Sequence, residues 1–474
     1  MRALAIDQGT TSTRALLVDE TGTRAVHTVE HRQYYPAPDH VEHDPVELLA
    51  NVSACLVAVS EVDFVGLANQ GESCLAWDGQ TGQPITPVIV WQDARTAALC
   101  DRLKSDGAET LTLARAGLPL DPYFSASKLG WIMTQVPEAR ALLKAGRLRL
   151  GTTDAFFRDR LTGTFATDPS TASRTSLLNL AAGAWDLELC ALFGVPIEAL
   201  PDITATTGDL GMLPGGHRLT ASMVDQQAAL YGHGARKAGD AKITFGTGAF
   251  ALALTDSSTS PAGVLPTIAW LEHGKPPVYA LDGGVYAASS AVNFARQLGF
   301  FSSFEEINHF DAAPAVSRGI AFVPALAGLA CPHWDRTARG AWMGLSLATT
   351  RSDMAQAVLE GVAFRMAEVM AAMSIATSAS VPVSIDGGMS RNPWFCQFLA
   401  DVLGRPLRIS DEPELTALGC AQLAARGAGL EITRPPNGHL IQPRPVPREW
   451  HDTFRAARTA VQSMGASVAA HIPG

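Results

Sequence analysis

Ala3-Leu4-Ala5-Ile6-Asp7-Gln8-Gly9-Thr10-Thr11-Ser12-Thr13-Arg14-Ala15-Leu16-Leu17-Val18 opens the chain as two apolar runs around a polar, glycine-containing tip. Asp19-Glu20-Thr21-Gly22 supplies the next turn. Short apolar runs bounded by turn residues read as a hairpin. A tip with glycine and several hydroxyls can wrap phosphate oxygens with its backbone N–H groups, although an ordinary polar hairpin reads the same way. Arg14 can add positive charge there. Asp7 can hold a magnesium ion, usually through waters, because magnesium gives up its hydration shell reluctantly.

A similar unit returns far downstream. Ala241-Lys242-Ile243-Thr244-Phe245 leads into Gly246-Thr247-Gly248, and Ala249-Phe250-Ala251-Leu252-Ala253-Leu254 leaves it. Two such tips suggest a duplicated domain in which each half offers a loop to a shared cleft; two unrelated hairpins are the other reading. Gly232, Gly234 and Gly239 cluster between them, so the boundary is placed there, giving domains 1–235 and 236–474. The spacing predicts a helix over Asp154–Leu161 and an irregular, Ser/Thr-rich stretch over Pro169–Trp185. Another helix is expected from Thr350, with Asp353 closing a capping box and an apolar stripe from Val358 to Met373. A last one is expected after Asn392 and Pro393, ended by Gly404. Before it, Asp386-Gly387-Gly388 follows an apolar run, an order that suits close approach of a ligand.

Asp225-Gln226-Gln227 precedes Ala228-Ala229-Leu230-Tyr231. A carboxylate beside an amide can bind and deprotonate an alcohol; a helix-capping aspartate reads equally well. Neither a P-loop nor a dinucleotide fingerprint is present.

The whole chain narrows the class. Its 474 residues exceed one ordinary domain. Its net charge of −10 demotes a general nucleic-acid binder. No two of the seven cysteines stand at C-x-x-C spacing, which argues against zinc. Arg2 is followed by a short apolar run that Asp7 ends, too brief for a secretory leader. No stretch reaches the roughly 18 apolar residues of a membrane span. A cytoplasmic α/β protein without a membrane partner is expected.

Taken in order, several stretches resemble the FGGY family of carbohydrate kinases, and within it the glycerol kinases most. They are Asp7 to Arg14, Val41-Glu42-His43-Asp44-Pro45, Val90-Trp91-Gln92-Asp93, Asp121-Pro122-Tyr123-Phe124-Ser125 and Asp225 to Leu230. Gly246 to Phe250, Trp334-Asp335 with Ala338-Arg339-Gly340, Asp386-Gly387-Gly388 and Thr416-Ala417-Leu418-Gly419 complete the series. The resemblance implies an actin-like ATPase fold, with two ribonuclease-H-like domains flanking a cleft that holds ATP and Mg2+, and a homodimer. It assigns Thr10, Thr11, Ser12 and Arg14 to the first phosphate loop and Thr247 to the second. Ser289, Asn293, Gly388 and Asn392 fall to further nucleotide contacts, and Asp7 to magnesium. Asp225 is implied as general base, Glu72, Tyr123, Asp225 and Gln226 as polyol contacts, and Trp91 and Phe250 as apolar walls.

One position departs. The glycerol kinases carry Asn-Gln-Arg-Glu-Thr in the first substrate loop, where this chain has Asn69-Gln70-Gly71-Glu72-Ser73. A site that hydrogen-bonds a hydroxyl loses discrimination when a donor goes, so an acceptor other than glycerol is expected, a tetritol or a ketose. The contrary reading is that a residue elsewhere makes the contact. The rivals are a pentulose, hexulose or tetritol kinase of the same family and, from another class, a non-catalytic actin-like nucleotide switch.

Overall fold

The computed structural model describes residues 1–373, 381–434 and 437–469. The opening hairpin forms as read: Ala3–Gln8 pairs antiparallel with Ser12–Asp19, Ala3 opposite Val18 and Gln8 opposite Thr13. It belongs to a five-stranded sheet ordered Leu219–Val224, Phe64–Asn69, Ala3–Gln8, Ser12–Asp19, Gly22–Glu30. Phe64–Asn69 joins Ala3–Gln8 in parallel, and Leu219–Val224 joins Phe64–Asn69 in parallel.

The apolar run is nearly unbroken because both faces of the sheet are covered. Leu4, Ile6 and Leu17 share a core with Leu48 and Val52 of the helix Pro45–Val57. Ala3, Ala5 and Leu16 face the other way, onto Ala417, Leu418 and Ala421 of the helix Leu415–Gly427. Small alanines on that face let a helix from far down the chain lie close to the sheet.

The second sheet repeats the plan. Ala241–Phe245 pairs antiparallel with Ala249–Thr255, which pairs antiparallel with Val278–Val285. On its other side Ala241–Phe245 meets Val383–Gly387 in parallel, and Leu407–Ser410 follows, again parallel. These five strands have the order and senses of the first sheet, with Leu265–Trp270 and Gly438–Ile441 added at the edges. The duplicated frame is therefore present strand for strand.

The second core carries the expected helices. Arg351–Ala372 starts at Thr350 with the Thr350–Asp353 capping box formed, and its stripe is buried. Pro393–Leu403 is capped by Asn392 and ends at Gly404 in the left-handed region. Between the two sheets the helices Asp225–Gly232 and Leu415–Gly427 cross in backbone contact: a Cβ at Gly419 would come 1.8 Å from the Ala228 carbonyl oxygen.

The helix expected over 154–161 spans Thr153–Thr162. The stretch expected to be irregular holds a short helix, Pro169–Ala172, and two two-residue strands, Leu178–Asn179 and Ala184–Trp185. Residues 166–178 are buried throughout, which the Ser/Thr-rich composition did not suggest. Nearby, a small sheet of Glu42–His43, Val88–Ile89, Cys74–Asp78 and Leu148–Thr152 supports one side of the cleft. All seven cysteines are buried and unpaired. Among the described residues no helix is long and apolar enough to cross a membrane.

Candidate active site

A cavity of about 150 Å³ lies beside the first hairpin tip, whose Thr10 forms part of its wall. Its wall includes Thr10, Glu72, Trp91, Tyr123, Asp225, Gln226 and Phe250, so every polyol contact or apolar wall implied from sequence comes together there. Arg174, Val224 and Asp282, none of them singled out from sequence, line it as well.

Asp225 is the first residue of the helix Asp225–Gly232, placed by the buried strand Leu219–Val224. One of its oxygens accepts from the Gln226 N–H at 2.6 Å. Burial pushes its carboxyl up to about 7, and the like charges of Asp7 and Glu72 push the same way. A carboxylate poised near neutrality on the wall of a pocket suits a general base. It is not the helix cap: Val224 occupies that position.

Gln226 is held by the second half of the chain. The fully buried Lys242 donates to Gln226 Oε1 and, at 2.9 Å, to Thr244 Oγ1. Burial lowers the Lys242 pKa, while Asp386, Asp225 and Asp282 work against the shift. Its ammonium is thus a buried brace between Ala241–Phe245 and the helix of the candidate base.

The aromatic walls are fixed from behind. Trp91 and Tyr123 meet edge to face at 5.7 Å. The fully buried Lys128 donates to the Tyr123 carbonyl at 3.0 Å and reaches the Trp91 carbonyl at 3.5 Å. Trp91 Nε1 donates to Thr10 Oγ1 at 3.1 Å, which joins the acceptor wall to the first tip. Phe250 lies over Gly284, where a Cβ would come within 3.0 Å of its ring.

Glu72 and Arg174 form a buried pair, Nε to Oε1 at 2.7 Å, each residue 5% exposed. Arg174 Nη1 stands 2.8 Å from Asp282 Oδ2 on the strand Val278–Val285 of the second sheet. That approach lacks hydrogen-bond alignment, and the guanidinium also meets Tyr123. At Gly71, a Cβ would stand 3.2 Å from Val224 Cγ1 and 3.8 Å from Arg174 Cγ. The space that a side chain at residue 71 would enter is therefore largely taken by Val224 and the Arg174 stem. One signal for Arg174 was available: it is the single charge between Pro169 and Ala184, amid small and apolar residues.

The remaining expected positions are spread along the cleft. Thr11 is exposed at the first tip. Arg14 is held by Asp7 and by Glu414, each at 2.9 Å, so it meets carboxylates from both halves of the chain. Thr247 is exposed at the second tip. Ser289 heads the helix Ser289–Gln297, and its Oγ lies 3.9 Å from the Cβ position of Gly388, which brings those two together. Asn293 is exposed one turn on. The Asn392 side chain is committed elsewhere: Oδ1 caps Phe395 N–H at 2.8 Å, and Nδ2 donates to the Ile307 carbonyl at 2.9 Å.

Residues 2–223 match the N-terminal domain model of the FGGY family of carbohydrate kinases, and residues 241–428 match the C-terminal one. A glycerol kinase of Alkalilimnicola ehrlichii is 42% identical over 452 residues, 91% of each chain. One from Thermus brockianus is 43% identical over 445 residues, 90% of each. The crystal structure of Plasmodium falciparum glycerol kinase with ADP superposes with a TM-score of 0.86 at 27% identity, covering 100% of this chain and 99% of that one. With its doubled sheets in the actin-like ATPase arrangement, the chain belongs to the FGGY family of carbohydrate kinases, and it is an ATP-dependent kinase acting on an alcohol group of a small polyol or sugar.

Proposed function

We propose that the acceptor is a short polyol of three or four carbons, phosphorylated on a terminal hydroxyl with Asp225 as general base. The observation that carries this is Asp225 itself: half-buried, pushed up to about 7, and on the wall of a small cavity shared with Glu72, Tyr123 and two further aromatic residues. The carboxylate takes the proton as the hydroxyl attacks the γ-phosphorus of ATP. The bond to the β,γ-bridging oxygen breaks, and ADP leaves. Phosphoryl transfer asks the protein mainly for positioning and charge stabilisation. In this reading the backbone N–H groups of Thr10, Thr11 and Ser12, with Thr247 opposite, cradle the phosphates. Arg14 exchanges its carboxylate partners for phosphate oxygens. Ser289, Asn293, Gly388 and the loop fixed by Asn392 hold the adenosine end.

Magnesium fits this arrangement through one protein ligand. Asp7 and Asp225 repel one another, a strain that a cation beside Asp7 would relieve. Among the described residues no cluster of three or more His, Cys, Asp or Glu side chains is positioned for a metal. An ion held by Asp7, waters and the nucleotide phosphates needs no such cluster, and when bound it supplies neutralisation of phosphate charge. The closed cleft excludes water, which would otherwise compete as acceptor.

Relatives named glycerol kinase make glycerol the reference acceptor, and the donor missing at Gly71, rather than added space, is what turns preference toward its four-carbon homologue. The test is ADP release with magnesium-ATP over glycerol, dihydroxyacetone, erythritol, threitol, xylitol, ribulose and xylulose, with a no-acceptor control. Erythritol or threitol is expected to exceed glycerol in kcat/KM by about tenfold, a difference of roughly 1.4 kcal/mol. A tenfold preference for glycerol would remove the tetritol assignment and leave a glycerol kinase. A pentulose as best acceptor would overturn the short-polyol reading altogether.

A further inference from the structure

We propose that Arg174 is the hydroxyl-binding cation of the acceptor pocket, standing in for the side chain that Gly71 lacks, and that Asp282 recruits the second domain to hold it there. The inference rests on the kinase reading above but not on the length of the acceptor.

Position comes first. Residue 71 has no side chain, and the place where one would leave the backbone is bounded by Val224 Cγ1 at 3.2 Å and Arg174 Cγ at 3.8 Å. Arg174 thus approaches the pocket beside the loop that carries Glu72, from a different segment of the chain. Its own segment is rigid: the helix Pro169–Ala172 is capped by the buried Asp168, which accepts from the Ser170 and Thr171 N–H groups at 3.0 and 2.9 Å. A guanidinium on such a base is pre-organised, so little side-chain entropy is lost when it meets a hydroxyl.

Chemistry comes second. A guanidinium has five N–H donors. Here Nε is used on Glu72, while Nη1, buried and near Asp282, lacks an aligned acceptor. A buried donor whose ion-pair partner is poorly aligned is incompletely satisfied, and a hydroxyl oxygen entering the cavity would give it an aligned acceptor. Two carboxylates flank this one cation, so no net positive charge is left for an anionic acceptor. The site therefore selects neutral polyols over sugar acids.

Connectivity comes third. Glu72 and Arg174 belong to the first half of the chain, and Asp282 lies on the second sheet. Separation of the sheets breaks the Asp282 contact, and closure restores it. Acceptor recognition is in this way linked to closing of the cleft.

The experiment uses the full chain and steady-state kinetics with both substrates varied. Arg174→Lys keeps the charge beside Glu72 and so guards against misfolding. It is expected to raise the acceptor KM about tenfold while the ATP KM stays within about threefold, as fits loss of the paired-donor geometry. Arg174→Gln is expected to raise the acceptor KM about 30-fold or more. Adding Gly71→Arg with Val224→Gly to Arg174→Gln should recover at least about tenfold of that loss by restoring a cation from the loop. Gluconate should remain a poor acceptor for every variant. An acceptor KM for Arg174→Lys within threefold of wild type would overturn the proposal. So would equal rises in acceptor and ATP KM, the mark of a purely structural ion pair. A wild-type protein without acceptor-dependent ADP release fails at the earlier step, and removes the kinase reading and this inference together.

Discussion

The tips at Gly9–Ser12 and Gly246–Gly248 stand at corresponding corners of two matching five-strand ladders, but their surroundings hold them by different means. Side chains brace much of the first. Trp91 Nε1 donates to Thr10 Oγ1, His31 Nε2 meets the Thr10 carbonyl at 3.0 Å, and Arg14 ties Asp7 to Glu414. Backbone, with the Ser290 hydroxyl donating to the Thr247 carbonyl at 3.0 Å, braces the second. The N–H groups of Ala288 and Ser290 donate to the Thr247 carbonyl at 3.0 and 3.1 Å, and Ser289 N–H donates to the Gly246 carbonyl at 3.2 Å. One duplicated frame has thus yielded a tip coupled to the acceptor pocket through side chains and a tip clipped to the start of a helix. On the proposed reading, the first tip senses the acceptor and the second only seats the nucleotide.

The sharpest break in that division lies at the base. Asp225→Asn keeps the shape of the first half and removes the proton acceptor. Turnover is expected to fall by about 10³-fold, within the range of general-base contributions, while ATP affinity measured by calorimetry changes little. The same residue sets a pH dependence. Its carboxyl is raised to about 7 by burial, and the ionised form is the active one. The acceptor kcat/KM of the free enzyme should therefore be level above that value and fall about tenfold per pH unit below it. A flat profile from pH 5 to 8 would remove Asp225 from the base role, and loss of ATP binding in the variant would show that the two tips are not separable.

Much of this was legible in the chain itself, for a physical reason. The hairpins and the capped helices at Thr350 and Asn392 sit where local pattern and local chemistry agree; the set Glu72, Trp91, Tyr123, Asp225, Gln226 and Phe250 was implied by the family resemblance, and it lines one cavity. What escaped depends on distant partners. Arg174 has meaning only beside Glu72 and Asp282, about 100 residues away on either side. Lys242 looks like one polar residue in a strand until Gln226 is brought against it. The burial of residues 166–178 comes from partners distant in sequence, Asp154 and Thr206 in the first half and Thr267 and Ile268 in the second, and no periodicity announces it. Asn392 carried two expectations, helix cap and nucleotide contact: the cap is formed, and the rest of its amide goes to the Ile307 carbonyl of a short helical turn.

A middle-sized test compares the glycines of the two tips. A Cβ at Gly248 would come 2.7 Å from the Val285 carbonyl oxygen and 3.0 Å from that of Tyr286, so backbone must shift. At Gly9 the nearest atom would be the Ser12 carbonyl oxygen at 3.6 Å, an ordinary contact. Gly248→Ala should cost about 1–3 kcal/mol, the usual penalty of overpacking, and lower the melting temperature by several degrees. Gly9→Ala should leave it within about a degree, since surface changes without clashes cost little. Equal melting temperatures would mean that the second tip is as adaptable as the first.

The smallest effect sharpens the comparison most, because it touches the first tip without touching charge. Trp91→Phe keeps an aromatic wall against Tyr123 and deletes only the donor to Thr10 Oγ1. A neutral hydrogen bond contributes about 1 kcal/mol net, which corresponds to roughly a fivefold change in an affinity. If the first tip couples acceptor wall to phosphate loop, that loss is shared: acceptor and ATP KM both rise, by about two- to fivefold each. Thr247→Ala at the second tip has no such link to the acceptor wall and should raise the ATP KM alone. A Trp91→Phe protein with only its acceptor KM altered would show that the indole serves the polyol and that its bond to Thr10 carries no message between the substrates.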